Sequence, residues 1–126
     1  MMSFLTVALG GAIGATARYG LGLFAVRVFG GGFPVGTLLA NIIGGFLMGL
    51  LAGWLLRSGS NNAESIRLFA AVGVLGGFTT FSAFSLDAIN MIQAKAFGPL
   101  LGYVGGSVVL SILAVAAGLF LMRGPA

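Results

Sequence analysis

The chain has 126 residues, of which 59% are hydrophobic and only 6% are charged, and its mean hydropathy is +1.14. Because a soluble domain carries about 25% charged residues, this composition excludes a water-facing surface of ordinary size and predicts a membrane protein. Cysteine and histidine do not occur, which excludes disulfides, thiolate metal sites and the usual acid/base group at neutral pH. The net charge of +4 comes from basic residues that stand singly at the ends of apolar stretches, so we expect no nucleic-acid partner.

Four apolar stretches are long enough to cross a lipid bilayer, for which a helix needs roughly 20 residues. We expect them to use nearly the whole length, as a single four-helix transmembrane domain over residues 1–126. The third stretch is too long and too polar in its middle to be one plain helix. The predicted spans are about 3–26, 34–56, 66–95 and 99–122.

Glycine recurs at four-residue spacing in three of the spans. Such rows let helix backbones approach closely in lipid. Packing within the bundle and a tight oligomer both explain them, and four short spans leave little room for a pore inside one subunit. The rows are Gly10 and Gly14; Gly45, Gly49 and Gly53; and Gly98, Gly102 and Gly106.

The charges at the span ends give little preference for one orientation in the membrane. On one side lie Arg57, Arg67 and Arg123 with Glu64, and on the other Arg27 and Lys95. An excess of one basic residue is a weak signal under the positive-inside rule. Either this one charge orients the chain, or the chain inserts both ways, which would allow an antiparallel homodimer.

Polar side chains line up inside three spans, although such groups are costly in lipid and usually mark a pathway or a helix contact. Phenyl edges turned to a pore would favour an anion, and phenyl faces would favour a cation. Hydroxyl and amide donors, an intramembrane Arg18 and the absence of an acid from spans one, two and four favour a small anion. The alternative is packing, in which the hydroxyls bond to helix carbonyls and the rings face lipid. The aligned residues are Thr37, Asn41 and Gly45; Thr80, Ser82 and Ser85 with Phe81 and Phe84; and Tyr103, Ser107 and Ser111.

The stretch GGFTTFSAFS at residues 76–85 predicts an irregular third span. Glycine costs roughly 1 kcal/mol in a helix relative to alanine, and paired threonines add crowding, so we expect a break at 76–80. Backbone carbonyls freed there must be satisfied by protein, water or an ion, and they suit a hard cation such as Na⁺. Asp87 follows closely, and we expect it to pair with an arginine near the membrane surface.

Over nearly its full length the chain resembles the Fluc (CrcB) fluoride channels. The resemblance is carried by GATARY at 14–19, PVGTLLAN at 34–41 with GGF at 44–46, GGFTTFSAFS at 76–85, and Tyr103 with Ser107. The third segment is highly specific. The first and last segments would be weak on their own.

This resemblance implies an all-α membrane protein with four transmembrane helices per subunit, a broken third helix and an antiparallel, dual-topology homodimer. It implies two separate fluoride pores, each lined by both subunits, in a cell inner membrane. The activity implied is the passive, fluoride-specific export of F⁻ from the cytoplasm, which lowers its toxicity. The protein would be a channel and not an enzyme.

The resemblance also implies roles for individual residues. Phe81 and Phe84 would turn ring edges to fluoride, Asn41 and Thr80 would lie on its path, and Arg18 would draw anions into a vestibule. A structural Na⁺ at the dimer two-fold would be held by the backbone carbonyls of Gly76 and Thr79. A polar track on span four would consist of Tyr103, Ser107 and Ser111.

Two positions depart from the family pattern, and two other functions stay open. Ala83 stands where threonine is commoner, which removes a hydroxyl, and Asp87 stands where glutamate is commoner. A small proton-coupled multidrug exporter would need a membrane-buried carboxylate, for which Asp87 is the only candidate. A membrane assembly subunit that transports nothing would use the polar rows for packing alone.

Overall fold

The computed structural model describes residues 2–59 and 61–123, and every regular element in this part of the chain is a helix. The third span consists of four successive helical segments, one of which is a π-helix. The elements are α1 (Met2–Phe29), α2 (Val35–Ser58), α3 (Ala63–Ile66), the π-helix (Arg67–Leu75), α4 (Gly76–Phe78), α5 (Ser82–Gln93) and α6 (Phe97–Arg123).

Four helical segments are long and apolar enough to cross a membrane, which confirms the predicted all-α architecture of four spans. They cover Met2–Phe29, Val35–Ser58, Ala63–Gln93 and Phe97–Met122. Each begins and ends within a few residues of the predicted bounds. The Gly30–Gly32 turn and the proline after it separate the first two spans as the sequence indicates.

Two glycine rows bring helix backbones into direct contact, as the small-residue pattern predicts. A methyl group added to Gly14 would collide with the carbonyl oxygen of Val74, so α1 lies directly against the π-helix. A methyl group on Gly49 would collide with the carbonyl oxygen of Val115, which joins α2 to α6 in the same way. Each of these pairs of helices runs parallel, since contacts advance along both partners together.

The third glycine row does not pack within the subunit. Apart from the adjacent backbone of α6 itself, no atom of the described residues lies within 4 Å of a methyl group built on Gly98, Gly102 or Gly106. These glycines therefore serve no close approach inside the helix bundle, unlike the rows on α1 and α2.

The helical backbone of the third span is interrupted at residues 79–81, slightly later than the 76–80 expected from the glycines. Gly76 keeps helical torsion angles, with φ −61° and ψ −38°, whereas Thr79 is extended, with φ −87° and ψ 159°. The Thr79 amide and hydroxyl both still donate to the Leu75 carbonyl, at 3.0 and 2.9 Å. Gly76 and Gly77 thus remain helical, and the chain leaves the helix only at Thr79, whose amide makes the last helical hydrogen bond.

Candidate functional site

A groove of about 570 Å³ lies where α2, α6 and the interrupted part of the third span meet. Three elements far apart in sequence each supply one polar face to it. Most residues predicted to lie on an ion path or a cation site are brought together there. They are Asn41, Gly76, Thr79, Thr80, Phe81, Phe84, Ser107 and Ser111.

Asn41 fastens α2 to the interruption through two hydrogen bonds. Its Nδ2 donates to the Thr80 carbonyl oxygen at 3.0 Å, and the Thr80 amide donates to its Oδ1 at 2.8 Å. A side-chain amide carries two N–H donors, so one N–H of Asn41 remains for another acceptor. Asn41 can therefore shape the site and still donate to a solute.

The carbonyls of Gly76 and Thr79 lack the donors that a continuous helix would give them. In an α-helix these donors are the amides four residues later, those of Thr80 and Ala83. The Thr80 amide donates to Asn41 instead, and the Ala83 amide donates to the Thr80 hydroxyl at 3.1 Å. The two carbonyls predicted to bind a cation are thus left with oxygen lone pairs to offer.

Four aromatic rings form a continuous row from the end of the bundle to the groove. Phe33 meets Tyr103 edge-on, with ring centroids 5.5 Å apart and planes at 88°. Tyr103 lies 5.1 Å from Phe84, which lies 5.6 Å from Phe81. Phe84 is buried, whereas Phe81 is 77% exposed in the isolated subunit. The Phe81 ring is therefore free to form part of a surface completed by another molecule.

Ser107 gives the groove a buried polar group that has no hydrogen-bond partner among the described residues. The residue is 5% exposed, and its hydroxyl makes no hydrogen bond to any residue that the structure describes. An unpaired hydroxyl in an apolar setting is costly unless a solute or water satisfies it. Ser111 lies one turn further along α6 on the same groove wall.

Tyr103 occupies a different position from the two serines with which it shares a helix face. It is completely buried, it does not line the groove, and its hydroxyl donates to Asp87 Oδ2 at 2.9 Å. The expectation that Asp87 pairs with an arginine is wrong for the described side chains, because its partner is this phenol. The Tyr103 hydroxyl therefore already donates its proton to Asp87 and cannot donate it to a solute in the groove.

Arg18 approaches the third span from the side of α1. Its Nε donates to the Gly77 carbonyl oxygen at 3.2 Å, and the contact is partly buried. Arg18 is not one of the groove residues. Its predicted role in a vestibule stays a prediction, and the observed contact is with the backbone beside the interruption.

The sequence did not single out the apolar wall of the groove. Met48 on α2 and Val108, Ile112 and Val115 on α6 line the groove together with the polar residues. The sequence does contain this pattern, because residues 107, 108, 111, 112 and 115 are spaced so that they lie on one face of a helix. An apolar wall excludes water and strengthens each remaining polar contact.

Taken together, these features define a four-span helical membrane protein with a groove beside an interrupted helix, where several hydrogen-bond donors meet an apolar wall. The chain belongs to the CrcB family, since the sequence profile described as "CrcB-like protein, Camphor Resistance (CrcB)" matches residues 5–119.

Similar proteins carry a functional name. The chain is 54% identical over 123 residues to the "Fluoride-specific ion channel FluC" of Phenylobacterium zucineum, and the match covers 98% of this chain and 97% of that protein. It is 51% identical to the protein of the same name from Caulobacter vibrioides strain NA1000 / CB15N, with the same coverage. It is 50% identical to the one from Hyphomonas neptunium, again over 98% and 97% of the two chains.

Proposed function

We propose that this chain is a fluoride-specific ion channel that lets F⁻ leave the cytoplasm passively through a cell inner membrane. The names of the full-length relatives support the substrate. The observation that carries the proposal is the groove, which gathers the Asn41 amide, the unpartnered Ser107 hydroxyl and the rings of Phe81 and Phe84. These groups offer hydrogens and no carboxylate to a passing ion.

The groove chemistry suits an anion that holds its water strongly. A pore must replace the hydration shell, yet bind weakly enough for release. Hydroxyl and amide N–H groups replace water hydrogen bonds, and the positive edge of an aromatic ring adds a weaker attraction. Membrane potential, negative inside, would drive the ion outward without coupling to another solute.

A second copy of the chain is needed to close the path. Phe81 lines the groove and is 77% exposed in the single subunit. A large exposed ring at the mouth of a donor-lined groove is explained if an antiparallel partner covers it and adds its own ring. The basic residues at the span ends, three on one face and two on the other, support insertion in both orientations.

The same dimer would place a structural Na⁺ on its two-fold axis. Hard cations prefer oxygen ligands, and unwound carbonyls at a helix end are known to coordinate Na⁺ in membrane proteins. The carbonyls of Gly76 and Thr79 fit this chemistry because their helical donors bond elsewhere. One copy offers two such oxygens, so two copies would offer four. The ion would hold the two interruptions together and is not transported.

Purified protein in liposomes tests the channel. Fluoride efflux followed with an ion-selective electrode should be rapid, and chloride efflux should be absent. No halide efflux from a well-folded dimer would favour the membrane assembly subunit. If drug efflux depended on a proton gradient and were lost in Asp87→Asn, the chain would instead be an exporter.

Two substitutions test the aromatic part of the path. Phe81→Ile and Phe84→Ile should each reduce fluoride flux strongly, because isoleucine fills space without a ring edge. Phe81 is exposed in the subunit, so its loss should leave folding of the subunit intact. The exposed Phe97→Ile, at the start of α6 away from the groove, is the matched control. Wild-type flux in both ring variants would refute the assigned roles.

Dimer topology and the cation are tested separately. A single cysteine placed in the 30–32 turn should react with a membrane-impermeant thiol reagent from both sides of the membrane in equal parts, and copies that all react from one side would refute the antiparallel dimer. Na⁺ should raise the thermal stability of the dimer more than K⁺ at equal ionic strength. Equal stabilisation by both ions would remove the specific cation site.

A further inference from the structure

One face of α1 follows the first half of the third span along its length. Gly10, Gly14 and Arg18 are spaced four apart and therefore share this face. The two glycines bring the backbones together, at Phe69 and at Val74. Arg18 comes one turn later and donates its Nε to the Gly77 carbonyl oxygen at 3.2 Å. The row thus ends in a hydrogen bond at the point where α4 ends.

The Gly77 carbonyl needs such a donor. The last carbonyls of any helix have no helical N–H to accept from. In a membrane each of them must find a partner within the protein, in trapped water or in an ion. A positive charge is also favourable at a helix C-terminus, where the partial charge of the helix is negative. The Arg18 guanidinium supplies both the donor and the charge.

We infer that Arg18 is a positioning residue that caps α4 from the neighbouring helix and so fixes the carbonyls on which the cation depends. Gly77 lies between Gly76 and the interruption that contains Thr79. Holding Gly77 against α1 fixes the direction of the Gly76 carbonyl and the place where the chain leaves the helix. The part that concerns cation affinity rests on the proposed function; the cap itself does not.

Two substitutions separate the hydrogen bond from the charge. In Arg18→Gln the side-chain Nε2 stands at the same distance along the chain as the arginine Nε, so the hydrogen bond can form without a charge. Arg18→Met has a stem of similar length and no donor. Arg27, which is exposed near the end of the same helix, provides the matched control pair Arg27→Gln and Arg27→Met.

Hydrogen exchange in Na⁺-free buffer tests the cap directly. The Thr80 and Ala83 amides are bonded at the interruption and report on its order. Arg18→Met should raise their exchange rates about tenfold, the factor expected for one lost hydrogen bond, whereas Arg18→Gln should stay within about threefold of wild type. Both Arg27 variants should match wild type. Equal exchange in Arg18→Gln and Arg18→Met would overturn the cap.

Sodium titration of thermal stability tests the consequence for the cation. The Na⁺ concentration that gives half the stabilisation should rise about tenfold in Arg18→Met and stay near wild type in Arg18→Gln. If Arg18→Gln resembles Arg18→Met in both measurements, a neutral donor at this position does not hold the interruption, and the hydrogen-bonded cap is refuted. If wild type shows no Na⁺ stabilisation, the proposed cation site fails, and the exchange experiment still decides the cap.

Discussion

Replacing Asn41 by leucine removes the contact that joins α2 to the interruption. Leucine matches the shape of asparagine but has neither a donor nor an acceptor. Both backbone groups of Thr80 would lose their partner, since its amide and its carbonyl bond to Asn41 at 2.8 and 3.0 Å. The contact is partly buried, so water would replace it only in part.

The size of the effect follows from two hydrogen bonds. A net value of about 1 kcal/mol each gives about 2 kcal/mol in water-soluble proteins. Interhelical bonds in membranes average about 0.6 kcal/mol, which would give about 1.2 kcal/mol for the pair. We expect the larger value, because the amide and carbonyl of Thr80 lie outside the helix and have no helical backbone group as an alternative hydrogen-bond partner. A loss of about 2 kcal/mol lowers the folding equilibrium constant roughly 30-fold.

The chain carries a convenient reporter for this measurement. Trp54 is its single tryptophan and lies on α2 with Asn41. Reversible unfolding in mixed micelles, followed by Trp54 fluorescence, should give the loss in Asn41→Leu. The exposed Asn90 offers the matched control, and Asn90→Leu should stay within about 0.5 kcal/mol of wild type. An Asn41→Leu protein as stable as Asn90→Leu would refute the role of these bonds.

Two further comparisons use paired residues in the chain. Gly14→Ala should lower the free energy of unfolding by about 2 kcal/mol, because the added methyl group would collide with the third span. Gly102→Ala is the control: its methyl group meets no other helix within 4 Å among the described residues, so the subunit should be as stable as wild type or more stable. Tyr103→Phe should cost about 2 kcal/mol by removing the hydrogen bond to Asp87, and Tyr19→Phe, at a tyrosine 68% exposed, should cost nothing measurable in the same unfolding assay. If Asp87→Asn causes no further loss of unfolding free energy in the Tyr103→Phe protein, the two side chains act as a pair. Equal stability of the two tyrosine variants would contradict the hydrogen bond to Asp87. Equal stability of the two glycine variants would contradict the close packing of Gly14.

Sequence alone was sufficient for the architecture. Apolar length and the scarcity of charge are properties of single segments, so they predict four spans without knowledge of their neighbours. The glycine rows on α1 and α2 were also predictable as close contacts, because helical spacing fixes which residues share a face. The family resemblance in residues 76–85 added the substrate, which no count of apolar residues could supply.

The sequence was less informative about which polar residues act together. Tyr103, Ser107 and Ser111 share a face of α6, yet Tyr103 is sealed behind Phe84 and bonds to Asp87, whereas the serines line the groove. The spacing of residues in the sequence shows on which side of its helix each residue lies, but it does not show which residues of other helices are in contact with it. The partner of Asp87 was predicted wrongly for this reason.

The tertiary structure decided the details of the interruption. Glycine propensity placed it at 76–80, but close packing of α1 against Gly77 and the bonds from Asn41 to Thr80 move it to 79–81. A side chain at Gly77 would collide with the Gly11 carbonyl oxygen, so glycine serves the packing of α1 there although it has a low helix propensity. Local preference therefore predicted that the third span would be irregular, and contacts from two other helices determined where.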